Sequence, residues 1–137
     1  MERDAAELVQ AIGLLLRRIR AAAASHELSL TEYAVLSRLD KQGPLTAADL
    51  ARAEGVRPQS MGTTVAALEE MRLVERAPHA TDGRQMNIAL TAKGLSLRRA
   101  MKSAKHTWLA QALAQLGRKE QETLFAAGEI IARLARM

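Results

Sequence analysis

One short stretch of this chain follows a different rhythm from everything around it. From Gln85 to Leu90 the apolar residues Met86, Ile88 and Leu90 alternate with Gln85, Asn87 and Ala89. That is the period-two signature of a strand with one buried face. On both sides the apolar residues return every three or four positions, as on one stripe of a helix. A strand must pair, and the residues just ahead supply the partner. Leu73-Val-Glu-Arg76 reads as a short strand, and Ala77–Arg84, with Pro78 and Asp82-Gly83, reads as the hairpin loop. The chain is therefore constrained to a helical body that carries one hairpin.

The helices are bounded by recognisable signals. Leu8, Ile12, Leu15, Leu16 and Ile19 lie on one face of a first helix from Ala5 to about Ser25. Ser29-Leu-Thr-Glu32 is a capping box opening a second helix through Tyr33, Leu36 and Leu39, which Gly43-Pro44 ends. Thr46-Ala-Ala-Asp49 opens a short third helix, and Gly55 is its stop. Pro58 suits the first position of a fourth, in which Met61, Val65, Leu68 and Met71 face inward. After the hairpin, Thr91 caps a long fifth helix with Leu97, Met101, Ala104, Trp108 and Ala112 on one stripe, ended by Gly117. A sixth carries Leu124, Phe125, Ile130, Ile131 and Leu134.

The helix pair meeting at Glu54-Gly55-Val56-Arg57 is a helix-turn-helix candidate. Its second member opens with Gln59, Ser60, Thr63 and Thr64, short polar side chains where such motifs meet base edges and phosphates. In the hairpin loop Arg84 suits the narrow minor groove, and Asp82 is placed to fix the guanidinium's direction. Charge agrees with an anionic partner. From Arg76 to Lys105 the chain holds Arg76, Arg84, Lys93, Arg98, Arg99, Lys102 and Lys105 against the single acid Asp82, whereas the whole chain's net charge is +5.

Several classes of function are excluded or disfavoured. With no cysteine there is no disulfide framework, Cys-ligated zinc, iron–sulfur cluster or thiol redox sensor. Three aromatics, Tyr33, Trp108 and Phe125, do not make a stacking platform for single strands. The longest strictly apolar run near the N-terminus is Ala11–Leu16, which fits neither a membrane span nor a secretory signal, so a cytoplasmic protein without membrane contact is expected. No phosphate loop, dinucleotide glycine pattern or His-Glu-x-x-His pair occurs, and the three histidines, His26, His79 and His106, are spread with no ligand spacing. Neither an enzyme nor a metal or other cofactor is expected. His106 reads as part of a solvated face, His26 as a helix-end residue and His79 as a loop or DNA-proximal residue.

Asp82-Gly-Arg84-Gln-Met-Asn-Ile-Ala-Leu90-Thr91-Ala-Lys-Gly94 resembles the wing signature of the MarR (multiple antibiotic resistance regulator) transcription factors. Leu30–Leu36, Leu45-Thr46, Asp49-Leu50-Ala51, Pro58-Gln59-Ser60, Leu68-Glu69 and Leu73–Arg76 fall in the same order as in that family. The resemblance covers nearly the whole chain. It implies a mainly α fold of six helices plus one β-hairpin wing. Residues 1–28 would form an N-terminal dimerisation helix, 29–91 the winged helix-turn-helix, and 92–137 the long helix and C-terminal dimerisation helix. It also implies a homodimeric repressor on a pseudo-palindromic double-stranded operator, released by a small aromatic or phenolic effector. Carried over by position, Gln59, Ser60, Thr63 and Thr64 fall on the recognition helix, Arg84 on the wing and Thr46 at a phosphate. Tyr33 and Met101 are candidate effector-lining residues.

The sequence departs from the family pattern at two places. Arg57 precedes Pro58 where a capping Ser is common, and Pro58–Met71 holds no Lys or Arg. Affinity is then expected to rest on Arg57, Arg84 and other flanking cations. The competing readings are a nonspecific architectural DNA-binding protein and a metal-responsive regulator.

Overall fold

A computed structural model describes residues 1–23, 28–78 and 81–137. Six helices and a small sheet follow in the order α1 (Glu2–Ala21), α2 (Leu30–Gln42), β1 (Leu45–Thr46), α3 (Ala47–Glu54), α4 (Pro58–Glu70), β2 (Val74–Pro78), β3 (Met86–Leu90), α5 (Ala92–Ala114) and α6 (Arg118–Leu134). None of these helices is long and apolar enough to cross a membrane. His26 and His79 lie outside the described residues.

The chain divides into two compact units, Ala23–Ser103 and Met1–Ala22 with Ala104–Met137. The core lies in the first, where Val35 and Leu36 of α2, Leu50 of α3, Met61, Val65 and Leu68 of α4, and Ile88 of β3 are fully enclosed. Both capping signals are realised. Ser29 Oγ accepts from the Glu32 N–H (3.1 Å) while Glu32 returns a bond to the Ser29 N–H (2.9 Å). Thr46 Oγ1 accepts from the Asp49 N–H at 3.1 Å. Hydrogen bonding to Thr46, and then the nearby Arg52 cation, hold the Asp49 carboxyl below the ordinary aspartate range. Whatever stability that carboxylate lends the cap is therefore present above the ordinary aspartate pKa and lost as pH falls through its lowered one.

The sheet holds one strand more than the sequence pattern predicts. β3 lies in the middle, with β2 antiparallel on one side and the two-residue β1 on the other. Leu45 opposite Ile88 and Thr46 opposite Asn87 tie the start of α3 to the wing. Two residues are too few to show a period, so β1 leaves no trace in the hydrophobic pattern. The hairpin is also longer than expected, since β2 runs on to Pro78, which faces Met86. Met86 consequently lies beyond the core and is exposed, while Ile88 is fully buried. Gly117 does not end α5, which stops at Ala114; it is the N-cap residue of α6.

Three bonds and one close approach join the end of α4 to the start of α5, between two local caps. Arg72 adopts φ 61°, and Leu73 N–H reaches back to the Leu68 carbonyl (2.9 Å), closing α4 with a left-handed turn. The Thr91 N–H donates to the Leu73 carbonyl (3.1 Å) and its hydroxyl to the Arg72 carbonyl (2.6 Å). Lys93 Nζ donates to the Met71 carbonyl at 3.0 Å. Gly94 N–H caps back onto Thr91 Oγ1 at 3.0 Å. A Cβ on residue 94 would stand 1.9 Å from the Leu73 carbonyl oxygen, so the two main chains meet only because this residue is glycine.

The second unit contains α1, the C-terminal part of α5, and α6. The Arg18 guanidinium lies 4.5 Å from the centre of the Trp108 ring. No residue of α1 or α6 is buried, and Leu8, Leu15, Leu16, Leu124, Phe125, Ile130 and Ile131 stand exposed. His106 is also exposed, as its sequence context predicts.

Gly94→Ala is expected to cost about 2–4 kcal/mol, because backbone rather than a flexible side chain blocks the added methyl. Arg72→Gly relieves a left-handed conformation and is expected to gain about 0.5–1 kcal/mol. Urea unfolding of both variants checks the pair of signs.

Candidate nucleic-acid interface

α4 begins without a side-chain cap. Arg57 stands at the N-cap position, makes no cap bond, and is followed by Pro58, whose missing N–H suits the first helical position. The remaining first-turn N–H groups therefore face outward unsatisfied by any side chain. Downstream the helix is two-sided. Met61, Val65 and Leu68 fill the core, while Gln59, Ser60, Thr63 and Ala66 are exposed and Thr64 is half-buried. The Thr63 hydroxyl donates to the Gln59 carbonyl (3.2 Å) and the Thr64 hydroxyl to the Ser60 carbonyl (3.1 Å).

The turn ahead of α4 is set by Gly55 at φ 65°, with the Val56 N–H reaching the Ala51 carbonyl at 3.0 Å. Arg38 of α2 pairs with Glu54 at 2.7 Å, both part-buried, fixing the end of α3 against α2. On the wing, Asp82 bonds both main chain and side chain. Its Oδ1 accepts from the Arg84 N–H (3.0 Å) and its Oδ2 from Gln85 Nε2 (3.3 Å). The contact found is thus to the backbone of Arg84 rather than the guanidinium, whose side chain is exposed.

Thr46 is only 7% exposed and its oxygen is occupied by the α3 cap. A phosphate contact expected of its side chain finds that side chain enclosed. The cationic window also breaks up in three dimensions. Arg76 pairs with Glu69 at 3.3 Å, Lys93 is bonded to the Met71 carbonyl, and Arg98 is buried. Arg84, Arg99 and Lys102 of that window remain exposed, as does Arg57 ahead of α4.

Arg98 is the residue that the sequence pattern placed wrongly, among surface cations. It is 3% exposed, donates from Nη1 to the Tyr33 hydroxyl (3.2 Å), and lies 3.8 Å from Asp40 through Nε, which has no hydrogen-bond partner. Its guanidinium sits 5.5 Å from the Tyr33 ring centre. The signal was present as spacing: Gly94, Leu97, Arg98 and Met101 recur at helical intervals, and the first, third and last are buried. Tyr33 is half-buried and borders a cavity of about 300 Å³ with Ser37, Arg38, Lys41 and Glu54. Met101 is buried and lines neither that cavity nor a second one of about 520 Å³ among Leu28, Met71, Leu73, Lys93 and Leu97. No group of three or more His, Asp or Glu is gathered for a metal among the described residues.

The family model of the MarR family matches residues 26–85. The chain is 37% identical over 132 residues to the HTH-type transcriptional regulator MT0903.1 of Mycobacterium tuberculosis, covering 96% of this chain and 92% of that one. This chain belongs to the MarR family. It is also 32% identical over 115 residues to the HTH-type transcriptional repressor Rv2887 of the same organism, with 83% of each chain covered. The crystal structure of Rv1404 from Mycobacterium tuberculosis superposes with a TM-score of 0.89 at 26% identity, covering 98% of this chain and 92% of that one. The MarR assignment makes the protein a DNA-binding transcriptional regulator of winged-helix architecture, not an enzyme.

In this MarR protein the Arg98 site makes a testable thermodynamic claim. Asp40→Ala leaves a buried guanidinium without its carboxylate and is expected to cost about 2–3 kcal/mol, moderated because Asp40 is part-exposed. Arg98→Met removes the charge itself and is expected to cost less. In urea unfolding the double variant should be more stable than Asp40→Ala alone.

Proposed function

We propose that the protein is a cytoplasmic homodimeric repressor that binds a pseudo-palindromic operator and leaves it when a small aromatic or phenolic effector binds. The observation that carries the specific-binding reading is the two-sided α4. Its inner face is locked into the core while its outer face offers polar groups behind an uncapped N-terminus. In this reading α4 enters the major groove through Gln59, Ser60, Thr63 and Thr64, with its N-terminus and Arg57 near phosphate. Arg84 reaches the adjacent minor groove, held in place by the Asp82 turn. Thr46 contributes by seating the start of α3.

Dimerisation through the N- and C-terminal helices is supported by their exposed apolar stripes, since large contiguous apolar surface ordinarily marks a partner. Residues 29–91 would then read DNA, with 1–28 and 92–137 supplying the dimerisation helices. An effector is supported by the cavity of about 520 Å³, within the size range of small-molecule sites and apolar except for Lys93 and Ser96. A phenolate or carboxylate seated there would compete with the Met71 carbonyl for Lys93 and so disturb the α4–α5 junction. Tyr33 and Met101, the effector candidates on the family pattern, do not line this cavity; Tyr33 borders the smaller one of about 300 Å³.

Selection of bound duplexes from a random library at about 0.15 M salt tests the whole reading. A two-fold-symmetric consensus is expected, with half-sites about 10 bp apart centre to centre. Enrichment without a consensus would replace the regulator with a nonspecific DNA coater. Sedimentation of a stable monomer at micromolar concentration would remove the dimer.

On a selected site Arg84→Ala is expected to weaken binding by about 1–3 kcal/mol with an unchanged melting temperature. Arg57→Ala is expected to weaken all duplexes alike and to reduce the slope of log K against log salt by about 1. Titrations at several salt concentrations separate the two.

A further inference from the structure

The outward face of α4 is poor in hydrogen-bond donors, and that limits which bases it can read. Guanine presents two acceptors, N7 and O6, in the major groove and is most often read by the paired donors of Arg or Lys. α4 has no Arg or Lys from Pro58 to Glu70. Its two threonines do not make up the deficit, because each hydroxyl proton is already given to a main-chain carbonyl, Thr63 to Gln59 and Thr64 to Ser60. What each presents to a ligand is a methyl group and an acceptor oxygen. Ala66, exposed, and Ala67, half-buried, add further methyls to the outward part of the helix.

One side chain on this face can both donate and accept in a planar pair. Gln59 is exposed, in the first turn, and its side-chain amide has no partner among the described residues. Its amide matches adenine, donating to N7 and accepting from the N6 amino group. The threonine and alanine methyls match the C5-methyl of thymine, the one apolar feature in the major groove. Only Ser60 keeps a free hydroxyl, which serves any base.

We infer that α4 reads A·T base pairs, through the Gln59 amide on adenine and the Thr63 methyl on a thymine C5-methyl, and has no Arg or Lys with which to select guanine. This rests on the proposed placement of α4 in the major groove. It goes further in naming the class of half-site and the atoms that select it.

The test uses the full-length protein and the random-duplex selection. A·T pairs are expected at the positions nearest the symmetry-related α4 helices. Replacing the selected thymine by deoxyuridine, which removes only the methyl, should weaken wild-type binding about threefold to tenfold. Thr63→Val keeps the methyl and should still distinguish thymine from deoxyuridine, whereas Thr63→Ser should not. Gln59→Arg should move the preference at one position from A·T to G·C by about tenfold or more. A wild-type consensus with G·C at the α4 contacts, or equal binding to thymine and deoxyuridine sites, would overturn the inference while leaving a sequence-specific regulator intact. Binding with no consensus, or to no duplex, would overturn the underlying placement of α4 and this inference with it.

Discussion

The winged unit depends on a contact that only one residue type permits. At Gly94 the first turn of α5 approaches the Leu73 carbonyl so closely that any β-carbon would overlap it. Around that approach Thr91 bonds the carbonyls of Arg72 and Leu73, and Lys93 bonds that of Met71. Three successive carbonyls at the end of α4 are thereby satisfied by the start of α5. Because β2 begins directly after this turn, the same junction sets where the wing leaves the body. α4 and the hairpin are held in one relation to each other by the close main-chain approach at Gly94 together with the bonds of Thr91 and Lys93. The junction also accounts for Arg72 in a left-handed conformation: the turn is over-determined by its neighbours, so an unfavourable φ is tolerated there.

Electrostatics in this protein divides between structure and surface in a way that charge counting hides. Arg38 and Arg76 brace α2 to α3 and α4 to β2 through Glu54 and Glu69. Arg98 is enclosed beside Tyr33 and Asp40 and ties α5 to α2. A buried guanidinium must be compensated or it destabilises the fold, so Arg98 has no freedom to act as a surface cation. The charge left for a polyanion is smaller than composition suggests; Arg57 and Arg84 flank α4 and the wing strand, and Arg99 and Lys102 stand exposed on α5.

Much of this was legible in the sequence, for physical reasons that can be named. The Ser29 and Thr46 caps, the Gly55 stop and the buried stripe of α4 all follow from local rules whose determinants lie within four residues of one another. The change of period at Met86 exposed the wing strand for the same reason. What could not be read depends on distant partners. β1 is two residues long and exists because β3 has an open edge beside it. Arg98 sits on the inward stripe of α5, yet only Asp40 and Tyr33, some sixty positions away, make its burial tolerable. The backbone role of Asp82 likewise depends on how the wing turn closes. Met86 misled in the opposite sense, since a perfect alternation continues past the point where there is any core to face.

The sheet order β1-β3-β2 has one more consequence, for the company the molecule keeps at high concentration. Sheets with open edges invite foreign strands, and a hairpin offers such an edge. Here the central strand β3 is paired on both sides, and the edge at β1 is only two residues long. The other edge, β2, carries Glu75 and Arg76 and finishes in Pro78, which has no N–H to offer an incoming chain. With one edge only two residues long and the other charged and ended by proline, the sheet is blunted against strands from other copies of the chain.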